Sequence, residues 1–480
     1  MKTLYTAILI LAGCCLPVRA EIGMKAHWSP VANFAHQTDC LADSSLNCSR
    51  DVYATLWKSN FIASDTDRRL FDDWLAMRTR YALGGELDAQ RPKAMRMRLA
   101  GLKANSVAGY KKQLLSYLLE QDRKTAGEFI DRFYPKFLHW WERDAEPYGK
   151  NFIDRFETLF TNPLVQQKLS QFITFYAADL PEDWQLSVTF MYLPQGYGGR
   201  GTYADSKSVV EFHPSDTVRE TFMTVMHETC HYLYAHAEKE KAASLPRLFA
   251  ETGSPVYAPA YNLLNEALAT ILGSGSMARA TMNSDEEFQR FISRPLSLYN
   301  DQYIDRAAKA ALPFVDMWLS KGDMFHEDFA EGYNGAIARE FGDRLPPQLY
   351  FNTMLLLQED YGTPLISPVF NSLHPAFLVS AEVDTYMRYA RDILAQHGTK
   401  NCILAIRPES VGRLRPNRLL DAESAKLLTR VVKRNKTAVF SYQREPSVYT
   451  IIVVADDYAQ AAEGITRFAG SKVMPDGLLE

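Results

Sequence analysis

The stretch VRETFMTVMHETCHYLYAHA, residues 218–237, contains the sequence His227-Glu228-Thr229-Cys230-His231. Two histidines four residues apart lie about 40° from each other on one face of an α-helix, so both imidazoles can reach a single ion. Glu228 points about 100° away from His227, beside such an ion, where a bound water would lie. This H-E-x-x-H spacing predicts two ligands of a zinc site, with Glu228 as the general base.

The residues around the motif favour a helix that follows a strand. Ser215 and Asp216 are candidate N-caps, and Glu220 falls in the first turn. Residues with helical apolar spacing follow: Phe222, Val225, Met226, Thr229 and Leu233. Upstream, residues 209–212 have the composition of a short strand. The motif is therefore predicted to lie on a helix that begins just after a strand.

A second helical stretch supplies a candidate third ligand. Residues 261–272 have a helical pattern and include Asn265-Glu266-Ala267. Together, the two motifs resemble those of the gluzincin class of zinc metallopeptidases, the thermolysin-like enzymes and their distant relatives. The resemblance implies that Glu266 joins His227 and His231 in holding Zn²⁺. Two imidazoles and one carboxylate leave a fourth position open for water, as a catalytic zinc requires.

Two features of the chain depart from the gluzincin pattern. The connection between His231 and Glu266 is longer than in the best-known members, which indicates an inserted loop. Many members place an aspartate four residues after the glutamate to orient a ligand histidine, and this chain has Thr270 there. Glu251 and Glu228 are alternative third ligands, although the apolar helix around Glu266 favours that residue.

The resemblance also implies a tyrosine or histidine, after the third ligand, that stabilises the oxyanion of the reaction. Tyr303, which precedes an apolar helix at 307–319, is the leading candidate. Tyr299, His326 and His374 are the alternatives. A packed amphipathic tyrosine without a catalytic role is an equally good interpretation of Tyr303.

Residues 1–20 have the features of a secretory signal. Lys2 precedes an apolar core at 4–16, and small residues at Val18 and Ala20 match the positions that a signal peptidase reads. A competing interpretation is a lipobox ending at Cys14, which would leave a lipid on that residue. The sequence predicts an exported protein, periplasmic or secreted, or a lipoprotein anchored through Cys14.

Four cysteines lie beyond residue 20, and an exported protein meets an oxidising compartment. Cys40 and Cys48 lie in a polar stretch and could form a disulfide. Cys230 and Cys402 are predicted to be free and buried. Although Cys230 directly precedes a ligand, a small buried residue is a better interpretation of it than a thiolate ligand.

Composition restricts the kinds of partner. The 480 residues carry a formal net charge of −4 and contain no basic block, which argues against nucleic acid as a partner. Beyond the signal, no segment has the roughly eighteen uninterrupted apolar residues of a transmembrane span. The oligomeric state is left open.

The chain is predicted to be α+β and mostly helical, with a zincin-like catalytic domain that contains a small sheet with an antiparallel strand. Residues 21–180 form a helical N-terminal region, and residues 181–345 form the zinc metallopeptidase core. Residues 346–398 are predicted to be helical, and residues 399–480 to form a small β-α-β-β-α module.

A glycine-rich segment at 195–201 lies between the predicted strands at 186–193 and 209–212. It is interpreted either as a rim over the active-site cleft or as a plain hairpin turn. Because no helix follows it directly, it lacks the setting of a phosphate-binding loop.

These features predict an exported zinc-dependent metallopeptidase that acts on peptide or protein substrates. Glu228 would accept a proton from a metal-activated water and return it to the leaving amine. Two alternatives stay open. One is a non-catalytic exported binding or scaffold protein with a degenerate H-E-x-x-H, and the other is a zinc amidohydrolase that acts on a non-peptide substrate.

Overall fold

The computed structural model describes residues 22–479 except 44–45, 47, 82–90, 195–199, 205–206, 343–344, 376, 397–399 and 446–447. The fold is α+β and mostly helical, with small mixed sheets, so the predicted class is confirmed. Within these ranges no helix is long and apolar enough to cross a bilayer. The predicted signal, with Cys14, and most of the glycine-rich segment lie outside the described residues.

Helices make up most of residues 22–180. In chain order the elements are β1 (Met24–His27), α1 (Pro30–Ala42), α2 (Arg50–Asn60), α3 (Asp65–Thr79), α4 (Arg91–Leu102), α5 (Val107–Tyr117), α6 (Glu120–Trp140), a π-helical segment (Trp141–Ala145), α7 (Glu146–Phe160) and α8 (Pro163–Phe175). Strand β1 departs from the predicted helical region, because a four-residue strand is too short to show a recognisable period. Ser29 caps α1 by accepting from the backbone of Ala32.

The first sheet joins the N-terminal helices to the metal-binding motif. Its other strands are β2 (Leu186–Tyr192), β3 (Gly201–Ala204) and β4 (Lys207–Phe212). The strand order is β1-β2-β4-β3, and only β3 runs antiparallel to its neighbour, so the predicted strands and the antiparallel element are confirmed. Asn33 on α1 donates to the Phe190 carbonyl at 3.0 Å and accepts from the Tyr192 amide at 2.7 Å, which fixes α1 on this sheet.

Helix α9 (Val218–Ala235) carries the H-E-x-x-H motif. Its N-cap is Thr217, which accepts from the Glu220 amide, while the Glu220 carboxylate accepts from the Thr217 amide. The predicted caps, Ser215 and Asp216, are therefore wrong. Asp216 instead accepts from the backbone of His213, in the turn before the cap.

The remaining helices of the predicted catalytic core surround α9. They are α10 (Lys239–Glu251), α11 (Tyr257–Ala269), a π-helical segment (Thr270–Ser276), α12 (Met277–Thr281), α13 (Asp285–Ile292), α14 (Gln302–Trp318) and α15 (Glu327–Phe341). The chain between α9 and α11, residues 236–256, is thus largely the helix α10, where an inserted loop was predicted. Helix α11 packs against α9, α14 and α15.

The C-terminal part contains a second sheet that is larger than predicted. Its elements are α16 (Pro347–Tyr350), β5 (Thr353–Gln358), α17 (Ile366–Leu373), β6 (Phe377–Glu382), α18 (Arg388–Gln396), β7 (Asn401–Ile406), a 3₁₀ segment (Pro408–Arg413), α19 (Ala422–Asn435), β8 (Ala438–Glu445), β9 (Val448–Val454), α20 (Tyr458–Ala469) and β10 (Gly477–Leu479). The predicted β-α-β-β-α order is confirmed as β7, α19, β8, β9 and α20. The sheet order is β10-β8-β9-β7-β5-β6.

The prediction that residues 346–398 are helical is wrong for β5 and β6, which pair in parallel with each other. The sequence of β5, TMLLLQ, is a continuous apolar run, and all but its first residue are buried. Strands buried on both faces lack alternation, so periodicity cannot distinguish them from a buried helix.

One hydrophobic core extends from the N-terminal helices through the first sheet and α9 to one face of the second sheet. In its N-terminal part, the rings of Trp57 and Trp74 stack on Phe129. The other face of the second sheet packs with α18 and α19 as a separate cluster. Helix α9, which carries the H-E-x-x-H motif, therefore lies within the main core of the molecule.

Candidate metal centre

Three side chains from two helices meet at one point: His227 and His231 from α9, and Glu266 from α11. The Glu266 carboxylate places Oε1 3.1 Å from His227 Nε2 and Oε2 3.4 Å from His231 Nε2. The two Nε2 atoms are 3.0 Å apart. Nitrogen and oxygen ligands of a tetrahedral zinc are about 3.3 Å from one another. The donor types and their spacing therefore fit a zinc ion.

A glycine permits the close approach of the two helices that carry these ligands. Helix α11 continues into the π-helical segment 270–276, which packs against α9. A Cβ atom at Gly273 would overlap the backbone nitrogen of His227. Single π-helical turns inside α-helices are rare and occur frequently at functional sites. A larger residue at this position would push His227 away from Glu266.

The two candidate ligand histidines differ in the hydrogen bonds that orient their rings. His231 Nδ1 lies 3.0 Å from Asn265 Oδ1, and because an amide oxygen only accepts, Nδ1 carries a proton and Nε2 is the nitrogen that can lose its proton and bind an ion. His227 Nδ1 is buried and has no hydrogen-bond partner among the described residues. The hydroxyl of Thr270 is also buried and has no hydrogen-bond partner among the described residues. Thr270 occupies the position, four residues after Glu266, where the resemblance implies an aspartate. Asn265 thus orients one ligand, and Thr270 does not orient the other.

The charges of the metal-free cluster balance each other. Burial by itself raises the pKa of Glu266, but the charges and hydrogen bonds of His231 and His227 hold it well below its usual range. Burial lowers the pKa of His231, and Glu266 overcomes this effect and raises it to about 9. At neutral pH the metal-free protein therefore holds an ionised Glu266 beside a protonated His231. An arriving metal ion must displace that proton.

Glu228 lies beside the cluster without being part of its ligand set. Burial raises the pKa of this carboxyl, with His227 and His231 opposing the rise and Glu266 adding to it. A pKa moved toward neutrality suits a group that both accepts and returns a proton. Gly201 on β3 makes room for it, since a Cβ atom there would lie 2.6 Å from Glu228 Oε1.

Tyr299, one of the alternatives for the oxyanion role, lies at the cluster. Its ring stacks on the His227 imidazole with centroids 5.6 Å apart and an interplanar angle of 27°. Burial, together with the carboxylates of Glu266 and Glu228, raises the pKa of the Tyr299 phenol. The hydroxyl therefore stays protonated and can donate a hydrogen bond at the site.

Tyr303, the leading candidate, is not brought to the cluster. Asp301 caps α14 by accepting from the amides of Tyr303 and Ile304, which places Tyr303 in the first turn of the helix. Its side chain lines a cavity of about 510 Å³ together with Arg306 and Phe341. Tyr299 stays in the loop before the cap, and that loop passes beside α9.

The other two alternatives for the oxyanion role serve as helix caps. His326 caps the N-terminus of α15 through the amide of Asp328. His374 ends α17 in a left-handed conformation, with φ of 50°. Neither belongs to the ligand group or to the residues that contact it in the described part of the chain.

The remaining predictions near the motif have clear outcomes. Glu251, an alternative third ligand, ends α10 and pairs with Arg247 at 3.4 Å on the surface. His236 follows α9 and lies against the Tyr232 carbonyl at 2.9 Å, outside the cluster. Cys230 is free and fully buried, as predicted, and burial raises the pKa of its thiol.

Cys40 and Cys48 do not form the predicted disulfide, since both thiols are free in the structure. Each thiol has other neighbours. Cys40 Sγ lies 3.5 Å from His36 Nε2, and Cys48 Sγ lies 3.5 Å from the Leu46 carbonyl. Burial, together with a hydrogen bond that the Cys40 thiol donates to Cys48, raises the pKa of Cys40. Cys402 is free and buried, as predicted.

Comparison of the chain with protein-family models, curated proteins and solved structures found no match in any of the three. The resemblance to gluzincins is therefore carried by the motif residues alone. It stays a hypothesis, and the functional proposal depends on the geometry of the cluster.

Proposed function

We propose that this protein is an exported zinc-dependent metallopeptidase that hydrolyses peptide bonds. The observation that supports it is the meeting of His227, His231 and Glu266 at tetrahedral spacing, with Glu228 beside them. The peptide as substrate class comes from the gluzincin resemblance. Two imidazoles and one carboxylate leave a fourth position open, which is the arrangement of catalytic zinc sites.

Solvent access agrees with a catalytic role for the cluster. The side chains of His227, Glu266 and His231 are 9%, 12% and 21% exposed, so a water and a substrate group can reach the open position. When bound there, zinc would lower the pKa of a water ligand to about 7 and polarise a carbonyl group. Asn265 keeps His231 in the tautomer that offers Nε2 to the ion.

Glu228 is assigned the proton transfers of the reaction. Burial raises the pKa of its carboxyl, and the position of the residue one step after His227 directs it to the side of the open ligand position. It would take a proton from the attacking water and give it to the leaving amine. Gly201 leaves the space that this carboxyl occupies.

Tyr299 is assigned the stabilisation of the oxyanion, in place of Tyr303. Its hydroxyl stays protonated next to Glu266 and Glu228, and its ring is held by stacking on His227. A donor fixed before the reaction stabilises charge that develops in the transition state.

The test is the substitution Glu228→Gln, which keeps the shape of the side chain and removes its basicity. Hydrolysis of a peptide library should fall by about 10²–10⁴-fold. Zinc content should stay at the wild-type value, because Glu228 is not a ligand. Glu251→Gln, at the surface end of α10, is the matched control and should keep full activity.

Two results would count against this proposal. A Glu228→Gln protein with wild-type peptidase activity would remove the proposed base. A wild-type protein that cleaves non-peptide amides and no peptide in the library would replace the substrate class and leave the metal chemistry intact.

A further inference from the structure

A second group of metal-binding side chains lies between α1 and β4, apart from the candidate metal centre. His36 and Cys40 are one turn apart on α1, and Glu211 is on β4. His36 Nε2 lies 2.9 Å from Glu211 Oε1 and 3.5 Å from Cys40 Sγ. The thiol of Cys48, from the loop before α2, neighbours Cys40 but lies outside the group of donor atoms that are all within 4.8 Å of one another, so it would complete the site by a small movement of its side chain. We propose that these four side chains bind a second zinc ion in a closed, structural site.

The donor types fit zinc. Imidazole nitrogen, thiolate sulfur and carboxylate oxygen are the ligands that zinc takes in proteins. Around a tetrahedral zinc, nitrogen and oxygen ligands are about 3.3 Å apart, and nitrogen and sulfur ligands about 3.6 Å apart. The separations of 2.9 Å and 3.5 Å around His36 Nε2 are close to these values. Two sulfur donors disfavour calcium and magnesium, which take oxygen ligands.

Burial indicates a structural site and not a catalytic one. The side chains of His36 and Glu211 are each 2% exposed. Cys40 is fully buried, and Cys48 is 7% exposed. Four protein donors fill a tetrahedral coordination sphere and leave no position for water, which is the pattern of structural zinc sites.

The carboxylate of Glu211 is held in place mainly through Oε2, and the Ser49 amide also lies 3.3 Å from Oε1. Glu211 Oε2 accepts from the Ser49 amide at 2.9 Å and from the Ser49 hydroxyl at 2.6 Å. Its Oε1 faces His36, whose ring also contacts the Tyr53 ring edge to face, with centroids 5.9 Å apart. Metal sites commonly have such outer hydrogen bonds, which orient the ligands.

The proposed site would connect three segments that are distant in sequence: α1, the loop before α2, and β4. A short turn separates β4 from α9, so an ion here would fix the N-terminal helices onto the sheet that leads into the metal-binding helix. Both thiols would lose their protons on binding. Two other arrangements compete with this one, namely a Cys40–Cys48 disulfide and a metal-free ion pair of His36 with Glu211.

Cobalt(II) reconstitution of the full-length protein distinguishes these arrangements. Cobalt bound to a thiolate gives a charge-transfer band in the near ultraviolet, whereas the cluster of His227, His231 and Glu266 offers no sulfur. The wild-type protein and a His227→Ala/His231→Ala double variant should both show the band. Cys40→Ser should weaken the band and Cys40→Ser/Cys48→Ser should abolish it, and zinc analysis of the double variant should show one ion fewer per chain than in the wild type.

The matched control is Cys402→Ser, which removes an equally buried thiol from β7 and should keep the band. If Cys40→Ser/Cys48→Ser fails to fold, peptide mass mapping of unreduced wild-type protein provides the second measurement. Cys40 and Cys48 should then appear as separate alkylated thiols. A Cys40–Cys48 disulfide, the absence of the band in the wild type, or a band that survives Cys40→Ser/Cys48→Ser would overturn the proposal.

Discussion

The two candidate metal-binding clusters of this protein have the same local geometry in different surroundings. In each, two donors one helical turn apart face a carboxylate from a second element: His227 and His231 with Glu266, and His36 and Cys40 with Glu211. The first lies between two helices and is 9–21% exposed, whereas His36 and Glu211 are 2% exposed. Access to water is the main difference between them.

On this difference we base the proposal that the first cluster is reactive and the second structural. A cluster of three donors beside solvent can accept a water and a substrate, and a fourth protein donor in a buried cluster closes that position. The residues around each cluster are consistent with one reactive and one structural site. Glu228 and Tyr299 can exchange or donate protons at the first cluster, whereas Ser49 only fixes Glu211 at the second.

His227→Ala should give the largest effect, since it removes a ligand from the exposed cluster. We expect loss of zinc from that cluster and loss of nearly all peptidase activity, measured by metal analysis and peptide cleavage. His236→Ala, just beyond the same helix, is the matched control and should change neither. A His227→Ala protein that kept its activity would show that catalysis, if present, occurs elsewhere.

His36→Ala should affect stability instead of catalysis. Removing one partner of a buried hydrogen-bonded pair costs about 3–5 kcal/mol when the remaining group is a carboxylate, because Glu211 would stay buried without its partner. The free energy of unfolding, from urea titration, should fall by that amount, while activity at low temperature is retained. His139→Ala, at an exposed position of α6, is the control. Unchanged stability combined with lost activity would reverse the roles of the two clusters.

Tyr299→Phe should lower kcat by about 10²–10³-fold, the usual effect of removing one oxyanion donor. Tyr303→Phe should have little effect, because Tyr303 lines a cavity away from the cluster of His227, His231 and Glu266. Zinc content should be the same in both variants, so a kinetic comparison at equal metal loading separates the two tyrosines. Equal losses of activity would leave Tyr299 without a special role.

Zinc binding should release about one proton from the exposed cluster near pH 7. Burial lowers the pKa of His231, but Glu266 raises it to about 9, so the metal-free residue is protonated at neutral pH. Zinc affinity should therefore increase with pH and level off above about 9. Calorimetric titration in buffers of different ionisation enthalpy measures the number of protons. The release should disappear in His231→Ala.

The sequence was informative where chemistry depends on short-range spacing. The four-residue interval between His227 and His231 and the Asn265-Glu266-Ala267 motif predicted three side chains that the structure brings together. The β-α-β-β-α order was also predictable, because its elements alternate with clear turn signals. In these cases the sequence pattern that carries the prediction spans only a few neighbouring residues.

Other features depend on contacts between distant segments. His36 and Glu211 are 175 positions apart, and no local pattern relates them. Which of Tyr299 and Tyr303 faces the cluster is decided by the cap at Asp301 and by loop packing. The strands β5 and β6 depend on pairing with β7 and with each other, and their apolar runs alone do not distinguish strand from helix.

The contact between Gly273 and the backbone of His227 has a consequence for how the exposed cluster takes up its ion. The two helices meet without intervening side chains, so the ligands are preorganised and little conformational entropy is lost on loading. The apo and holo forms should then share one backbone conformation, and the ion should exchange without a folding transition.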